Sequence, residues 1–310
     1  MSVQELDPDA AARVASFGVI APMRERGLAA VRQGLESTPL PTDSPEMLEI
    51  EDASADGIPV RIYRPTGDDS APVLVYFHGG GLVLGSNRSF EGLARTLAAV
   101  SGATVVSVEY RLAPEAPPPA QFDDAYAATA WVAANAARLR IDPGRVTVVG
   151  DSAGGSLAAA VALAARDRGG PPIFCQVLLY PGLDRDMTCD SIVTMPDAPM
   201  MARADIDYMH ELADQGVTTP PDEYRVPAMA RDLTGLPQAV VVTGACDPIR
   251  DWGERYAERL RAAGVQTTVT RYPGVYHGFL MFSGATARGR LAIAEIGALL
   301  RAKFATPLTF

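Results

Sequence analysis

Four short segments hold the residues best suited to chemistry. The first is GDSAGG at 150–155, a G-x-S-x-G pattern that follows the apolar run RVTVVG and leads into a long alanine-rich stretch. A serine between a strand and a helix sits in a sharp turn with its hydroxyl exposed, as a nucleophile requires. Gly150 and Gly154 carry no side chains, so backbone can close around a strained residue. Ala153 opens the helix with an N–H that has no partner inside it, and the helix dipole strengthens that donor. Ser152 is therefore the expected nucleophile, and the Ala153 N–H an expected donor to a developing oxyanion.

The second segment is HGGG at 78–81, which ends another apolar run. Gly79 and Gly80 are expected to offer N–H groups to the same oxygen as Ala153, with His78 holding the loop by hydrogen bonds. A serine nucleophile also needs a base that reaches its hydroxyl. The chain has three histidines. His78 lies in the glycine loop, and His210 falls in a helical pattern where a solvated surface histidine is the ordinary outcome. His277, in the third segment RYPGVYHGF (271–279), follows a late strand and fits the chain order serine, acid, histidine. The fourth segment, GACDPIRD (244–251), supplies the acid. Asp247 lies in the loop and is preferred. Asp251 reads as a helix-opening acid and is held in reserve, and Asp151 adjoins the serine and fails the order.

The elements that must position these groups alternate. Residues 5–35 read as helical, followed by the polar, proline-rich STPLPTDSPE (37–46). Residues 47–65 read as two extended segments around Asp56-Gly57, an antiparallel hairpin. Strands are expected at 72–79, 104–110, 145–150, 176–182, 238–244 and 266–272, and helices at 89–102, 121–139, 151–170, 251–263 and 284–303. That order implies an α/β fold with a mostly parallel central sheet flanked by helices. Residues 185–235 break the alternation: they hold no good strand, are rich in methionine and contain the helical ADIDYMHELADQG (204–216). The expected organisation is N-terminal cap helices over 1–46, a catalytic core over 47–184 and 236–310, and a cap insert over 185–235.

Composition sets the bounds. The chain has 310 residues, enough for a large core, and a net charge of −10, which repels phosphate backbones and argues against nucleic acid as a partner. Three cysteines, Cys175, Cys189 and Cys246, are an odd number at spacings that match no metal site, so they read as small core residues. The N-terminus carries acids where a secretory signal needs basic residues, and no apolar run is long enough to span a bilayer. A soluble, cytoplasmic protein with no membrane insertion is expected.

Taken together, HGGG (78–81), EYRLAPE (109–115), FDDAYAA (122–128), GDSAGG (150–155), YPGLD (180–184), CDPIRD (246–251) and YHGF (276–279) resemble the bacterial hormone-sensitive-lipase family of esterases over nearly the whole chain. The resemblance implies an α/β-hydrolase fold with a helical cap, no cofactor, and a small-molecule ester with a short to medium acyl chain as substrate. A homodimer is compatible with it. Leu82 stands where an aromatic often follows HGGG, Ser156 where asparagine often follows GDSAGG, and EAPPPAQ (115–121) replaces an HPFPA-like stretch, which leaves the pocket's shape open. Leu82, Met200, Met201, Tyr208 and Met209 are the candidates to line that pocket, although the residues of the insert could equally pack it against the core. The expected activity is serine carboxylesterase. An amidase, formamidase or carbamate hydrolase would use the same groups. Plant gibberellin receptors resemble this family but lack the catalytic histidine, which is present here as His277.

Overall fold

The computed structural model describes residues 5–307. The chain opens with α1 (Pro8–Ser16), α2 (Met23–Arg26) and α3 (Leu28–Glu36), so the helical stretch expected over 5–35 is broken twice. Pro22 caps α2 in an extended conformation, and Gly18 and Gly27 take positive φ, which a continuing right-handed helix does not. The hairpin follows as β1 (Glu49–Ala55) and β2 (Ile58–Arg64), with Ala55 opposite Ile58. Asp56 and Gly57 turn it with φ of 51° and 99°, and two successive positive values give the turn whose twist matches the strands.

Strands and helices then alternate: β3 (Ala71–Phe77), α4 (Glu91–Ser101), β4 (Thr104–Val108), α5 (Ala120–Ala134), the one-turn α6 (Ala136–Leu139), β5 (Ile141–Asp151) and α7 (Ala153–Arg168). After β6 (Cys175–Leu179) come α8 (Asp190–Thr194) and α9 (Arg203–Ala213), then β7 (Gln238–Cys246), α10 (Arg250–Ala262), β8 (Thr267–Tyr276) and α11 (Ala287–Ala305). The eight strands form one sheet in the order β1-β2-β4-β3-β5-β6-β7-β8. All neighbours from β4 to β8 are parallel, while β1 and β2 run antiparallel at one edge.

The alternation of strand side chains builds two cores. Val73, Val75 and Phe77 of β3 pack with Phe122 and Ala125 of α5, Leu157 and Val161 of α7, and Tyr256 and Leu260 of α10. Leu74 and Tyr76 point the other way, toward Leu93 and Leu97 of α4, Ile296 and Leu300 of α11, and Ala10 of α1. Helix α7 is buried from Ala153 to Ala165, which explains why its sequence is apolar on every face. Cys175, Cys189 and Cys246 are all buried thiols. No helix among the described residues is long and apolar enough to cross a membrane.

The segment between β6 and β7 meets the second N-terminal helix, α2, through α9, and contributes to the cavity beside Ser152. The Met23 N–H donates to Asp205 of α9 at 2.7 Å, and Arg24 pairs with Glu211. Met23, Val83, Ala113 and Ala213 form a small apolar cluster with Tyr208 and Leu212. Cys189, Ile192, Met201 and Ile206 form another with Ile249 and Trp252 of the core. A parallel sheet gathers its loops at the C-terminal ends of its strands, where ligands of such folds bind.

Candidate active site

Strand β5 runs directly into Asp151, and α7 starts at Ala153, so Ser152 alone makes the turn, at φ 53° and ψ −119°. The Ser152 N–H donates to Leu179 of the neighbouring strand at 2.9 Å, and its carbonyl accepts the Gly182 N–H at 2.8 Å. A Cβ on Gly150 would collide with the Gly154 carbonyl, and one on Gly154 with the Phe77 carbonyl oxygen. Only glycine lets the strand, the turn and the helix come this close. A non-glycine residue held in such a conformation costs about 1–3 kcal/mol, which the surrounding packing must offset.

Strands β7 and β8 bring two more groups to this point. Their pairing extends past the expected ends to Cys246 opposite Tyr276, so Asp247 and His277 are each the next residue after a matched pair. His277 Nδ1 lies 2.8 Å from Asp247 Oδ2, and His277 Nε2 lies 2.8 Å from Ser152 Oγ. Asp247 is fully buried, and its other oxygen accepts the Ile249 N–H at 2.9 Å. An ionised carboxylate only accepts, so it draws the proton to Nδ1 and leaves the Nε2 lone pair facing the serine hydroxyl. The Tyr180 ring meets His277 edge-on at 5.1 Å, which limits rotation of the imidazole. Asp251 faces away from this chain: it accepts the Ser191 N–H at 2.8 Å and pairs with Arg250, tying α8 to α10.

The HGGG loop departs from expectation at one residue. The Gly79 N–H is already engaged, donating at 2.9 Å to Asp151 Oδ1, which also accepts the Tyr76 hydroxyl at 2.7 Å. Asp151 is wholly buried, and burial pushes its carboxyl up to about 6. The expected donor role of Gly79 is therefore corrected: its amide is already engaged by the Asp151 carboxyl beside the elbow. Gly80 and Gly81 carry amides with no hydrogen bond among the described residues, and Gly81 lines the same cavity as Ser152 and Ala153. Gly81 was not anticipated. No local sequence signal points to it, because Asp151 reaches the Gly79 amide only through the pairing of β3 with β5. The His78 ring stacks on Tyr110 at 4.3 Å and near Phe90 at 5.2 Å, with Nδ1 2.8 Å from the Gly79 carbonyl. Burial pushes this histidine down to about 4, so it is a neutral strut of the loop.

A cavity of about 60 Å³ opens beside Ser152. Leu82, Met201 and Met209 line it, as do Ile206, Ile249 and Trp252. Met200 stands outside, half-exposed at φ 70°, and Tyr208 turns away to pack on Met23 and under the Arg24 guanidinium. His210, expected on the surface, faces the cavity instead, with its ring stacked near Trp252 at 6.0 Å. Burial, reinforced by the charge of Arg185, pushes it down to about 3, so it is neutral near pH 7. The spacing of Ile206, Met209 and His210 on α9 is that of one helix face, and it was available in the sequence as such a signal. Asp184, Arg185 and Arg225 also reach the cavity and were not anticipated.

An eight-stranded, mostly parallel sheet that carries a serine on a strand-to-helix elbow, with a histidine and a buried aspartate in line behind it, defines a hydrolase of the α/β-hydrolase class. Comparison with known proteins agrees. The family model described as the alpha/beta hydrolase fold matches residues 74–281. The esterase LipI of Mycobacterium tuberculosis is 42% identical over 285 residues, covering 87% of this chain and 89% of that protein. The carboxylesterase NlhH of the same organism is 42% identical over 285 residues, 86% of this chain and 89% of its own. A hyperthermophilic esterase from the archaeon Pyrobaculum calidifontis superimposes with a TM-score of 0.90 at 36% identity, over 97% of this chain and 100% of that one. The chain belongs to the α/β-hydrolase fold family, among the esterases of the hormone-sensitive-lipase kind, and is a carboxylic ester hydrolase.

Proposed function

We propose that the enzyme hydrolyses short-chain carboxylic esters through an acyl-enzyme on Ser152. The observation that carries this reading is the Asp247–His277–Ser152 chain, with its two contacts of 2.8 Å. His277 Nε2 takes the hydroxyl proton as Ser152 Oγ bonds to the ester carbonyl carbon, and Asp247 stabilises the imidazolium. The carbonyl oxygen becomes an oxyanion held by the N–H groups of Gly80, Gly81 and Ala153. The carbon–alkoxy bond then breaks, and His277 returns the proton to the leaving alcohol. Water repeats the sequence on the acyl-enzyme and releases the acid. Residues 185–235, with the N-terminal helices, act as the cap that closes the cavity. Its volume of about 60 Å³ has room for on the order of five water-sized groups, which favours short acyl chains.

The test is hydrolysis of p-nitrophenyl esters from acetate to laurate by the wild type and by Ser152→Ala. Turnover should peak among the short esters and fall by about 10⁴-fold or more in the variant. Activity that survives Ser152→Ala removes the assigned nucleophile. A wild type that is inert to esters and active on matched anilides makes the enzyme an amidase.

A further inference from the structure

The cavity has a mixed lining. Leu82, Met201, Ile206, Met209 and Ile249 give it apolar walls, and Arg185 and Arg225 reach into it as well. Both guanidiniums converge on a single oxygen, Oδ1 of Asp214. Arg225 holds it at 2.5 Å, which leaves Arg185 a contact of 3.4 Å, at the outer limit of a hydrogen bond. Asp184, on the same wall, already accepts the backbone N–H groups of Arg185 and Asp186 on its Oδ1. No other side-chain bond of Arg185 is present among the described residues, so most of its five N–H groups lack an acceptor while the side chain is only 28% exposed. Neither ring nitrogen of His210 is hydrogen-bonded among the described residues, and its ring lines the same cavity.

A purely apolar substrate group would displace water from around Arg185 and leave it charged and under-coordinated, a costly arrangement. A carboxylate would supply the missing acceptors, in the planar geometry a guanidinium favours. We propose that the preferred substrates are esters bearing a carboxylate a few bonds from the scissile carbonyl, bound by Arg185 with His210 beside it. This rests on the Ser152 esterase reading. The cavity's size limits the charged group to a short one, as in monoesters of small dicarboxylic acids or acyl esters of small hydroxy acids. The reaction is the hydrolysis already described, and the carboxylate takes no part in it.

The experiment measures kcat/KM on two isosteric pairs. Monoethyl succinate against ethyl isocaproate places the carboxylate on the acyl half. Acetoxyacetate against isobutyl acetate places it on the alcohol half. The wild type should favour the charged member of one pair by about tenfold or more, and the pair in which it does so identifies the half that enters the cavity. Arg185→Met should lower that ratio by about 10- to 100-fold, the loss of a charge-assisted contact. Asp214→Asn, which removes the competing carboxylate, should raise it. A wild type that favours the neutral member of both pairs overturns the proposal, as does a ratio that neither variant moves. The p-nitrophenyl esters separate the two readings: if they too are left uncleaved, the failure lies with the esterase assignment at Ser152.

Discussion

Replacing Asp151 with asparagine should flatten the acid-to-neutral stability profile by a calculable amount. The carboxyl is wholly buried and accepts two donors, Tyr76 and Gly79, but burial outweighs them and lifts it to about 6 from the ordinary value of 3.8. Between those two values the folded chain holds a proton that the unfolded chain has released. Stability linked to this group is therefore fully present below about pH 4 and is lost as pH rises through about 6. A gap of roughly two on the pKa scale is worth about 3 kcal/mol. Asparagine keeps a carbonyl oxygen for both donors and cannot ionise. Urea unfolding of the wild type and Asp151→Asn, run in parallel from about pH 4 to pH 7, should show the variant gaining on the wild type by about 2–2.5 kcal/mol across that range. Comparing the two chains cancels the other groups that titrate in this window. Stability curves that stay parallel would refute the reasoning, because Asp151 would then titrate alike in the folded and unfolded chain.

Two further outcomes follow from the site. Asp247→Asn should lower kcat by about 10⁴-fold with little change in melting temperature, since the amide no longer selects the imidazole tautomer that can accept the serine proton; steady-state kinetics on a short ester decide it. Met201→Ala should shift the preferred acyl chain upward, because Met201 is buried against the cavity beside Ile206 and Trp252 and its truncation lengthens that space; an unchanged chain-length profile would return Met201 to a packing role.

Local sterics made much of the site legible in the sequence. Gly150 and Gly154 are required wherever a strand meets a helix at a serine, so the elbow carries its own signature. His277 stood out because only three histidines exist and two of them sit in the wrong places. What escaped depends on side-chain direction across elements. Asp151 adjoins the serine in sequence, but its grip on Gly79 requires the pairing of β3 with β5, which sets Phe77 opposite Gly150. Met200 and Met201 look equivalent as a dipeptide, yet the left-handed turn at Met200 sends one outward and buries the other. His210 is polar and Tyr208 amphipathic, so composition assigned them the reverse of their places. Which face of α9 looks inward is decided by Ile206 and Met209 against the core and by Asp205 against Met23. The convergence of Arg185 and Arg225 on Asp214 joins residues on both sides of α8 and α9 and has no periodic signal.

Non-glycine residues at positive φ crowd around this site: Ser152 at 53°, Tyr180 at 36° and Leu82 at 65°. Ser152 and Tyr180 directly follow strands and Leu82 lies in the glycine loop after β3, and each directs a side chain to where the reaction or its substrate would be. Glycine would relax the backbone at each of these positions but would remove the hydroxyl, the ring against His277 and a wall of the cavity. The backbone strain at these three residues is tied to the side chains they place, and the packing around them must offset it. Gains in robustness have to come from elsewhere, from the helices and hairpin that brace the sheet far from its reactive edge.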